Sequence, residues 1–263
     1  MAKGKHHRGR QIKKKIGAQI ISNIILICAM AIFFVAGFKL FQIGKGYMDG
    51  RSEYDKVADL AIDYSEEDQR FCVDFDKLLE INPDTIGWIR FYPEPSIINY
   101  PLVQGEDNDI YLRKTFSAND NTLGTIFLDV NCSGDLSDRH SIIYGHRMKD
   151  GSMFRKLENY KEKSFWEENP YFYIYTPDGR EITYQIYSTG VVEDISDTYL
   201  LSLENDEDYQ SFIEYTFSTA EYDTGVEVTK ENLVVTLSTC TAASDEHRYV
   251  VHGVKIREAF LEE

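Results

Sequence analysis

One segment of this sequence can adopt only one kind of regular structure. Residues 16–38 form a run of 23 residues without a charged side chain, rich in Ile, Ala, Phe and Val. A run of that length crosses the hydrocarbon core of a bilayer as a helix. In lipid a single segment satisfies its backbone hydrogen bonds only as a helix. The sequence therefore predicts a transmembrane helix over residues 16–38, followed by a separate folded region.

The charges around this segment predict its orientation. Residues 1–15 contain seven Lys and Arg, whereas Lys39 and Lys45 alone follow within the first 45 residues, where no Asp or Glu occurs. Basic residues stay on the cytoplasmic side of a span. We therefore expect a basic cytoplasmic tail at 1–15 and the bulk of the protein outside the membrane. A cleaved secretory signal is the alternative, although the run is longer than a signal core and lacks a small-residue cleavage pattern.

The chain after residue 45 is strongly acidic. It carries 19 basic and 44 acidic residues, a formal net charge of −25. A domain with this charge repels nucleic-acid phosphates, which argues against a nucleic-acid partner. The same surface favours partners that carry an amine or another cation.

The cysteines and histidines do not form a metal-binding pattern. The four cysteines are Cys28, Cys72, Cys132 and Cys240, and no two of them form a CxxC pair. His140 and His146 have no carboxylate or thiol at a zinc-ligand spacing. We therefore expect no metal site. Cys72 and Cys132 could pair outside the cell, but their spacing does not require a disulfide.

The region after the predicted span has the pattern of a mainly β domain preceded by helices. Residues 52–63 show apolar side chains at helical spacing, and a second helical pattern over about 73–81 stops at Asn82-Pro83. Eight short β-type runs follow, with helical patterns inserted at 152–160 and 206–220. The eight predicted strands are 86–91, 97–103, 125–129, 141–144, 171–176, 182–192, 233–239 and 249–256.

This arrangement predicts the fold class and the domain boundaries. About eight short strands with few helices favour a closed β-barrel or a sandwich over a parallel α/β sheet. We expect a helical juxtamembrane extension at 39–72 and a β domain at 73–263.

A cysteine and an arginine stand where two predicted strands meet. Cys240 ends an apolar run, a polar loop follows it, and Arg248 begins the next strand. The two side chains can face each other across the mouth of a hairpin, and alternation puts Ser238 on the same face as the thiol. A guanidinium there favours the thiolate and stabilises an oxyanion. The alternative interpretation is that Cys240 is a small buried core residue.

Such a nucleophile needs a general acid/base. The six histidines are His6, His7, His140, His146, His247 and His252. The first two fall in the predicted cytoplasmic tail, and the fifth lies on the opposite face of its strand from Arg248. His146 follows the end of a predicted strand, whereas His252 shares a face with Arg248. Spacing gives His146 a small advantage over His252 and leaves both as candidates.

Several motifs in the chain resemble those of sortases, the membrane-anchored transpeptidases of Gram-positive bacteria, and most of all those of class B. The most specific are residues 236–240, which read TLSTC and fit the pattern TLxTC, Arg248 in the following strand, and residues 144–146, which read YGH. The resemblance runs from about Phe75 to Ile256. The other matching segments are 82–88 (NPDTIGW), Asp107-Asn108, Tyr111-Leu112, 124–129 and 151–154 (GSMF). The N-terminal helical extension and the helix at 206–220 are the features that resemble class B.

The resemblance implies a sortase-type eight-stranded barrel and a set of roles for individual residues. It makes Cys240 the nucleophile, His146 rather than His252 the general acid/base, and Arg248 the cation that orients the substrate and stabilises the oxyanion. Positions that line the groove for the sorting signal in class B relatives match Asn108, Tyr144, Ser238 and Thr239.

The resemblance also implies the partners. The substrates would be secreted proteins with a C-terminal sorting pentapeptide, cleaved after Thr through a thioester and joined to an amine of the peptidoglycan cross-bridge. No cofactor is implied, and no carboxylate cluster resembles the calcium site found in class A. A membrane anchor would keep enzyme and secreted substrate on one surface.

Three alternatives stay open at this stage. The same residues could serve a secreted cysteine peptidase that uses water as the acceptor. They could serve a sortase that polymerises pilins through a lysine side chain. The third is a non-catalytic binding ectodomain, for which Cys240 is dispensable. If the enzyme interpretation is correct, a disulfide between Cys240 and Cys72 or Cys132 would inactivate it.

Overall fold

The computed structural model describes residues 4–64, 70–203, 205–242, 244 and 246–261. The chain divides into two compact units, Met1–Met48 and Asp49–Glu263. Helix α1 (Gly4–Ala61) begins in the first unit. Among the described residues, the helical stretch Ile21–Ala61 is long and apolar enough to be a candidate membrane span. Its apolar side chains from Ile21 to Ile43 are exposed, as at Phe33, and the predicted span at 16–38 overlaps this part of the helix.

Short elements precede the main β structure of the second unit. The helix predicted over 52–63 is the C-terminal part of α1. It leads into a two-stranded antiparallel hairpin, β1 (Ile62–Tyr64) with β2 (Phe71–Val73), which the sequence pattern did not predict. Helix α2 (Phe75–Ile81) corresponds to the predicted helix at 73–81. The carboxylate of Asp74 caps it by accepting a hydrogen bond from the Lys77 N–H at 3.1 Å.

The second unit is built on a closed β-barrel. Its strands are β3 (Thr85–Phe91), β4 (Asn99–Val103), β5 (Ile126–Leu128), β6 (His140–Tyr144), β7 (Tyr171–Tyr175), β8 (Arg180–Glu193), β9 (Val234–Cys240) and β10 (His247–Phe260). Within the part of the chain that the structure describes, they close in the order β10-β8-β7-β3-β4-β5-β6-β9. Each corresponds to one of the eight predicted strands, so the predicted barrel is confirmed.

The direction of neighbouring strands decides which loops meet. β4 and β5 are parallel, and so are β6 and β9, while the other neighbours in the barrel are antiparallel. In the β6–β9 pair, Tyr144 lies opposite Ser238. Parallel neighbours end at the same rim. The residues that follow Tyr144 and those that follow Ser238 therefore leave the barrel side by side.

The barrel core is filled by large aromatic side chains. Trp88, Phe91, Phe172 and Tyr184 are each less than 2% exposed. The Phe172 ring stacks on Phe91 and on Tyr184, with centroids 5.2 and 5.0 Å apart. Gly253 leaves room for them, because a Cβ at this position would lie 2.5 Å from the Phe172 ring. Close packing of this kind makes the barrel a rigid support for its rim.

Helical segments cover parts of the barrel. The helix predicted at 152–160 is a 3-10 helix, Phe154–Lys161, and α3 (Lys163–Glu168), which was not predicted, follows it. Helix α4 (Asp206–Ser218) corresponds to the helix predicted at 206–220. Its buried residues recur at the spacing of one helix face, and they are Tyr209, Phe212, Ile213 and Thr216. Shorter 3-10 turns occur at Ile110–Leu112 and Asp197–Tyr199.

Candidate active site

The ends of β6, β9 and β10 border one pocket of about 440 Å³. Among its lining residues are all seven that the sequence analysis singled out: Asn108, Tyr144, His146, Ser238, Thr239, Cys240 and Arg248. The rest of the lining consists of Asp109, Leu112, Phe127 and Gly145. Residues that are widely separated in sequence therefore share one concave surface.

Cys240 and Arg248 are direct partners across two strands. Cys240 ends β9 with an exposed thiol, and Arg248 lies opposite it on antiparallel β10. Directly opposed side chains share a face, with Cβ atoms about 4.5–5.5 Å apart. An Arg248 guanidinium nitrogen lies 3.3 Å from the Asp194 carboxylate, and another donates to the His247 carbonyl at 3.1 Å. A positive charge is therefore held beside the thiol.

His146 reaches the same rim because β6 and β9 are parallel. Its Nε2 lies 2.7 Å from the backbone carbonyl oxygen of Leu112. A carbonyl oxygen only accepts, so Nε2 carries a hydrogen and Nδ1 is the nitrogen left to take up or release a proton. Gly124, at φ +61°, packs against the ring, since a Cβ there would lie 2.8 Å from His146 Cδ2. The ring is thus held on two sides.

His252, the other histidine that spacing left as a candidate, does not line this pocket. His252 is fully buried, and its Nδ1 is 2.8 Å from the Thr236 hydroxyl, which is 2.7 Å from His140 Nε2. Burial lowers the pKa of His252 to about 3 and that of His140 to about 4. Both rings are therefore neutral core residues and do not line the pocket.

A buried carboxylate connects two of the expected groove residues. Asp129 Oδ2 accepts hydrogen bonds from Asn108 Nδ2 at 2.9 Å and from the Tyr144 hydroxyl at 3.0 Å. Burial, with the Asp129 charge as the second cause, raises the pKa of Tyr144, so its phenol stays protonated and donates. The Asn108 side-chain oxygen accepts in turn from the Val130 N–H at 2.9 Å. Asp129 lies within a matching segment, but sequence reasoning did not single it out.

Ser238 and Thr239 lie on opposite faces of β9. The Ser238 hydroxyl is 2.8 Å from that of Tyr199, and the Tyr199 ring stacks on Tyr144 with centroids 6.5 Å apart. Burial raises the pKa of Tyr199 to about 12. The Thr239 hydroxyl is buried and has no hydrogen-bond partner among the described residues. Tyr199 was not anticipated because it lies in the β8–α4 connection, where no sequence pattern indicates a site.

The cysteines of the second unit are not paired with one another. Cys72, Cys132 and Cys240 are free thiols. Cys132 is buried, and burial raises the pKa of its thiol to about 12. A thiol held protonated in this way is a poor nucleophile. Cys240 is therefore the exposed thiol that shares a pocket with an imidazole and a guanidinium.

Comparisons with known proteins agree with this geometry. The family model described as "Sortase domain" matches residues 96–256, which is more than half of the chain. Sortase B of Staphylococcus aureus (strain NCTC 8325 / PS 47) is 30% identical over 227 residues, which cover 85% of this chain and 91% of that protein.

Solved structures agree as well. Sortase B from B. anthracis in complex with AAEK1 is similar with a TM-score of 0.70 and 30% identity, covering 82% of this chain and 100% of that one. The Staphylococcus aureus sortase B–substrate complex is similar with a TM-score of 0.64 and 32% identity, covering 70% and 84%. The chain therefore belongs to the sortase family of cysteine transpeptidases, and within that family to class B.

Proposed function

We propose that this sortase cleaves secreted proteins after the Thr of a C-terminal sorting pentapeptide and joins them to an amine of the peptidoglycan cross-bridge. The observation that carries the proposal is the meeting of a thiol, an imidazole and a guanidinium in one pocket of about 440 Å³. It results from two strand pairings, parallel β6–β9 and antiparallel β9–β10. A nucleophile, a proton carrier and a fixed positive charge are the groups that acyl transfer requires.

In the first half-reaction the Cys240 thiolate attacks the carbonyl carbon of the Thr residue. The carbonyl oxygen gains negative charge, and the Arg248 guanidinium stabilises it. Protonated His146 gives the proton on Nδ1 to the leaving amine. The C–N bond then breaks, and the acyl group stays on Cys240 as a thioester.

In the second half-reaction an acceptor amine attacks the thioester carbon. His146 takes a proton from that amine, the new C–N bond forms, and the Cys240 thiolate leaves. The hydrogen bond from Nε2 to the Leu112 carbonyl at 2.7 Å persists in both charge states of the ring, because Nε2 carries a hydrogen in each. The imidazole therefore keeps its orientation while Nδ1 exchanges its proton.

The groove residues hold the sorting pentapeptide in this proposal. Asn108 and Tyr144 are oriented by Asp129, and the Ser238 hydroxyl contacts Tyr199. Thr239 would contribute backbone atoms, because its hydroxyl is buried on the other face of β9. A relative solved as a sortase B–substrate complex supports a peptide substrate of this kind.

The N-terminal region serves as the anchor in this proposal. Residues 1–15 form a cytoplasmic tail, 16–38 cross the membrane, 39–72 form the juxtamembrane extension, and the catalytic domain at 73–263 lies outside the cell. The long apolar helix with exposed side chains supports a membrane span, and the excess of basic residues before it supports the orientation. Secreted substrates would then reach the enzyme on the same surface.

Mass spectrometry tests the reaction. The full-length protein in detergent micelles is incubated with a panel of Thr-containing sorting pentapeptides, with and without triglycine. We expect cleavage after Thr in both mixtures and a triglycine-joined product in the second. Cys240→Ala abolishes both products. Hydrolysed product alone at high triglycine would instead indicate a peptidase that uses water, and activity of Cys240→Ala would exclude the thioester.

A further inference from the structure

Two parts of one hairpin, which runs from Tyr111 to Thr125, hold the His146 ring. Near the first end of the hairpin the Leu112 carbonyl oxygen lies 2.7 Å from Nε2. Near the second end Gly124 packs against the ring. The Thr125 N–H donates to the Tyr111 carbonyl at 2.9 Å and closes the base of the hairpin. A shift of either end therefore moves the imidazole.

The C-terminal part of α1 supports this hairpin. Residues 49–61 of the helix belong to the second unit. The buried side chains on one face of this part are Tyr54, Val57 and Ala61. The Tyr54 hydroxyl donates to the Gly124 carbonyl at 2.6 Å and lies 3.1 Å from the Thr125 hydroxyl. The helix therefore holds the end of the hairpin that packs against the imidazole.

Tyr54 is itself fixed by its surroundings. Its ring meets that of Tyr100 edge to face, with centroids 5.4 Å apart, and the Tyr100 hydroxyl accepts from the Met153 N–H at 3.2 Å. Burial raises the pKa of Tyr54, so its phenol stays protonated and donates. The adjacent Glu53 carboxylate accepts from the Ser117 N–H at 2.9 Å, so the helix holds the turn of the hairpin as well.

We infer that Tyr54 is a positioning residue for the general acid/base, because its hydrogen bond fixes the peptide group that packs against the His146 ring; this inference rests on the proposed function. Gly124 has a φ of +61° and no side chain to limit its backbone, so a hydrogen bond to its carbonyl is an effective restraint. Tyr54 lies outside residues 96–256, which the family model matches, and does not line the pocket. It acts only through its contact with the hairpin.

Two kinds of leaving group distinguish positioning from folding. An amine leaves from the tetrahedral intermediate only with a proton from His146, whereas a thiolate leaves without one. A displaced imidazole therefore slows acylation of Cys240 by an amide much more than acylation by a thioester. A smaller folded fraction slows both reactions equally, so the ratio of the two rates reports on the position of the ring.

Rapid-mixing kinetics test this inference. The full-length protein in detergent micelles receives a sorting pentapeptide with either an amide or a thioester after Thr, and the burst of released leaving group measures acylation. Tyr54→Phe keeps the ring and removes the hydroxyl. We expect the maximal acylation rate with the amide to fall about three- to tenfold, since small misplacements of a catalytic group are costly. The rate with the thioester should fall less than about twofold, and half-saturating peptide concentrations should not change.

Tyr160→Phe is the matched control. Tyr160 is fully buried, its hydroxyl donates to the Asn169 carbonyl at 2.8 Å, and it does not line the pocket. This variant should keep the wild-type ratio of amide to thioester rates. An unchanged ratio in Tyr54→Phe, whether both rates are kept or both fall together, overturns the inference, and so does an equal fall of the ratio in Tyr160→Phe. If the wild-type protein releases no amine from any sorting pentapeptide, the proposed function itself fails, and this inference fails with it.

Discussion

The imidazole of His146 and the carbonyl group of Leu112 form a hydrogen bond of 2.7 Å. The carbonyl is itself held in place through the neighbouring residue. The Tyr111 hydroxyl donates to the Asp84 carboxylate at 2.6 Å and accepts from the Asn82 amide at 2.9 Å. The motif that begins at Asn82 therefore acts on the site at a distance, because it fixes the segment that orients the imidazole.

Gly124→Ala should damage catalysis through this contact. The new Cβ would lie 2.6 Å from the Tyr111 carbonyl oxygen and 2.8 Å from His146 Cδ2, so the ring or the backbone segment that orients it must move. Misplacement of a catalytic group by about 1 Å costs about a hundredfold in rate. We expect kcat for sorting-peptide cleavage to fall about ten- to a hundredfold, measured beside the unfolding midpoint of the same protein.

Gly179→Ala is the matched control. Gly179 also has a positive φ, +84°, but among the described residues its Cβ would meet only the Leu261 carbonyl oxygen, at 4.0 Å. The alanine in this variant should therefore cause a similar backbone strain without contacting the site. A similar fall of kcat in both variants would mean that general destabilisation, and not displacement of His146, explains the Gly124 result.

Asp194 should act as a positioning residue for Arg248. Its carboxylate lies 3.3 Å from the guanidinium, and the two side chains are 38% and 25% exposed. A partly exposed pair contributes less than about 1 kcal/mol to stability, yet it limits the directions that the guanidinium can take. Asp194→Asn should lower kcat/KM about three- to tenfold with little change in unfolding free energy. Asp206→Asn, which removes a more exposed ion pair between Asp206 on α4 and Arg139, outside the pocket, should leave kcat/KM unchanged.

Local sequence patterns were sufficient for the strands but not for their pairing. Apolar runs bounded by polar turns gave all eight barrel strands, because the signal for a strand lies within the strand itself. The parallel pairing of β6 with β9 joins segments that are more than ninety residues apart, with His140 opposite Val234. No local pattern encodes such a contact. The hairpin of β1 and β2 was missed because three residues are too short for a recognisable alternation.

The same limit applies to the site. His252 and Arg248 share a face of β10, and spacing gave His146 only a small advantage over His252. The structure gives the reason: this face borders the pocket at Arg248 but turns into the core at His252, which is fully buried. Asp129 and Tyr199 escaped prediction because their importance lies in contacts with Tyr144 that depend on the closed barrel.

Asp129→Asn should weaken both the groove and the fold. The buried carboxylate accepts from Asn108 and Tyr144 through one oxygen and from Asn131 through the other. An amide replaces one acceptor with a donor, and each buried group left unsatisfied costs about 1–3 kcal/mol. We expect the KM for the sorting peptide to rise about tenfold and the unfolding free energy to fall by about 1–3 kcal/mol.

A second aspartate separates these two effects. Asp135 is exposed, and its carboxylate accepts from the Ser137 N–H at 3.0 Å. Asp135→Asn should change neither the KM nor the unfolding free energy by a comparable amount. Peptide kinetics and urea unfolding on the two variants give both quantities. A stability loss in Asp129→Asn without any change in KM would show that Asp129 does not orient Asn108 and Tyr144 for binding.

The buried histidines should make the barrel sensitive to acid. His140 Nδ1 lies 2.8 Å from the Leu200 carbonyl, so it donates, and Nε2 is left to accept from the Thr236 hydroxyl. The Thr236 oxygen then accepts from His252 Nδ1 at 2.8 Å, and His252 Nε2 is buried without a described partner. This chain of hydrogen bonds requires a neutral His140 ring, and burial without a partner for Nε2 disfavours the charged form of His252.

The sign of the pH dependence follows from the pKa values. Burial lowers the pKa of His140 to about 4 and that of His252 to about 3, from an ordinary value of 6.5. Below pH 6.5 these two histidines bind protons in the unfolded chain but stay unprotonated in the folded protein. The unfolding free energy should therefore fall with acidification. Each such proton contributes a slope of about 1.4 kcal/mol per pH unit, and the loss should continue until pH approaches 4.

Urea unfolding of wild type and His252→Gln between pH 7.5 and about pH 4.5 isolates the contribution of one histidine. We expect the slope of unfolding free energy against pH to be smaller in the variant by about 1.4 kcal/mol per pH unit at the acid end. A difference between the two proteins that is constant across this range would mean that His252 binds its proton equally well in the folded and unfolded states.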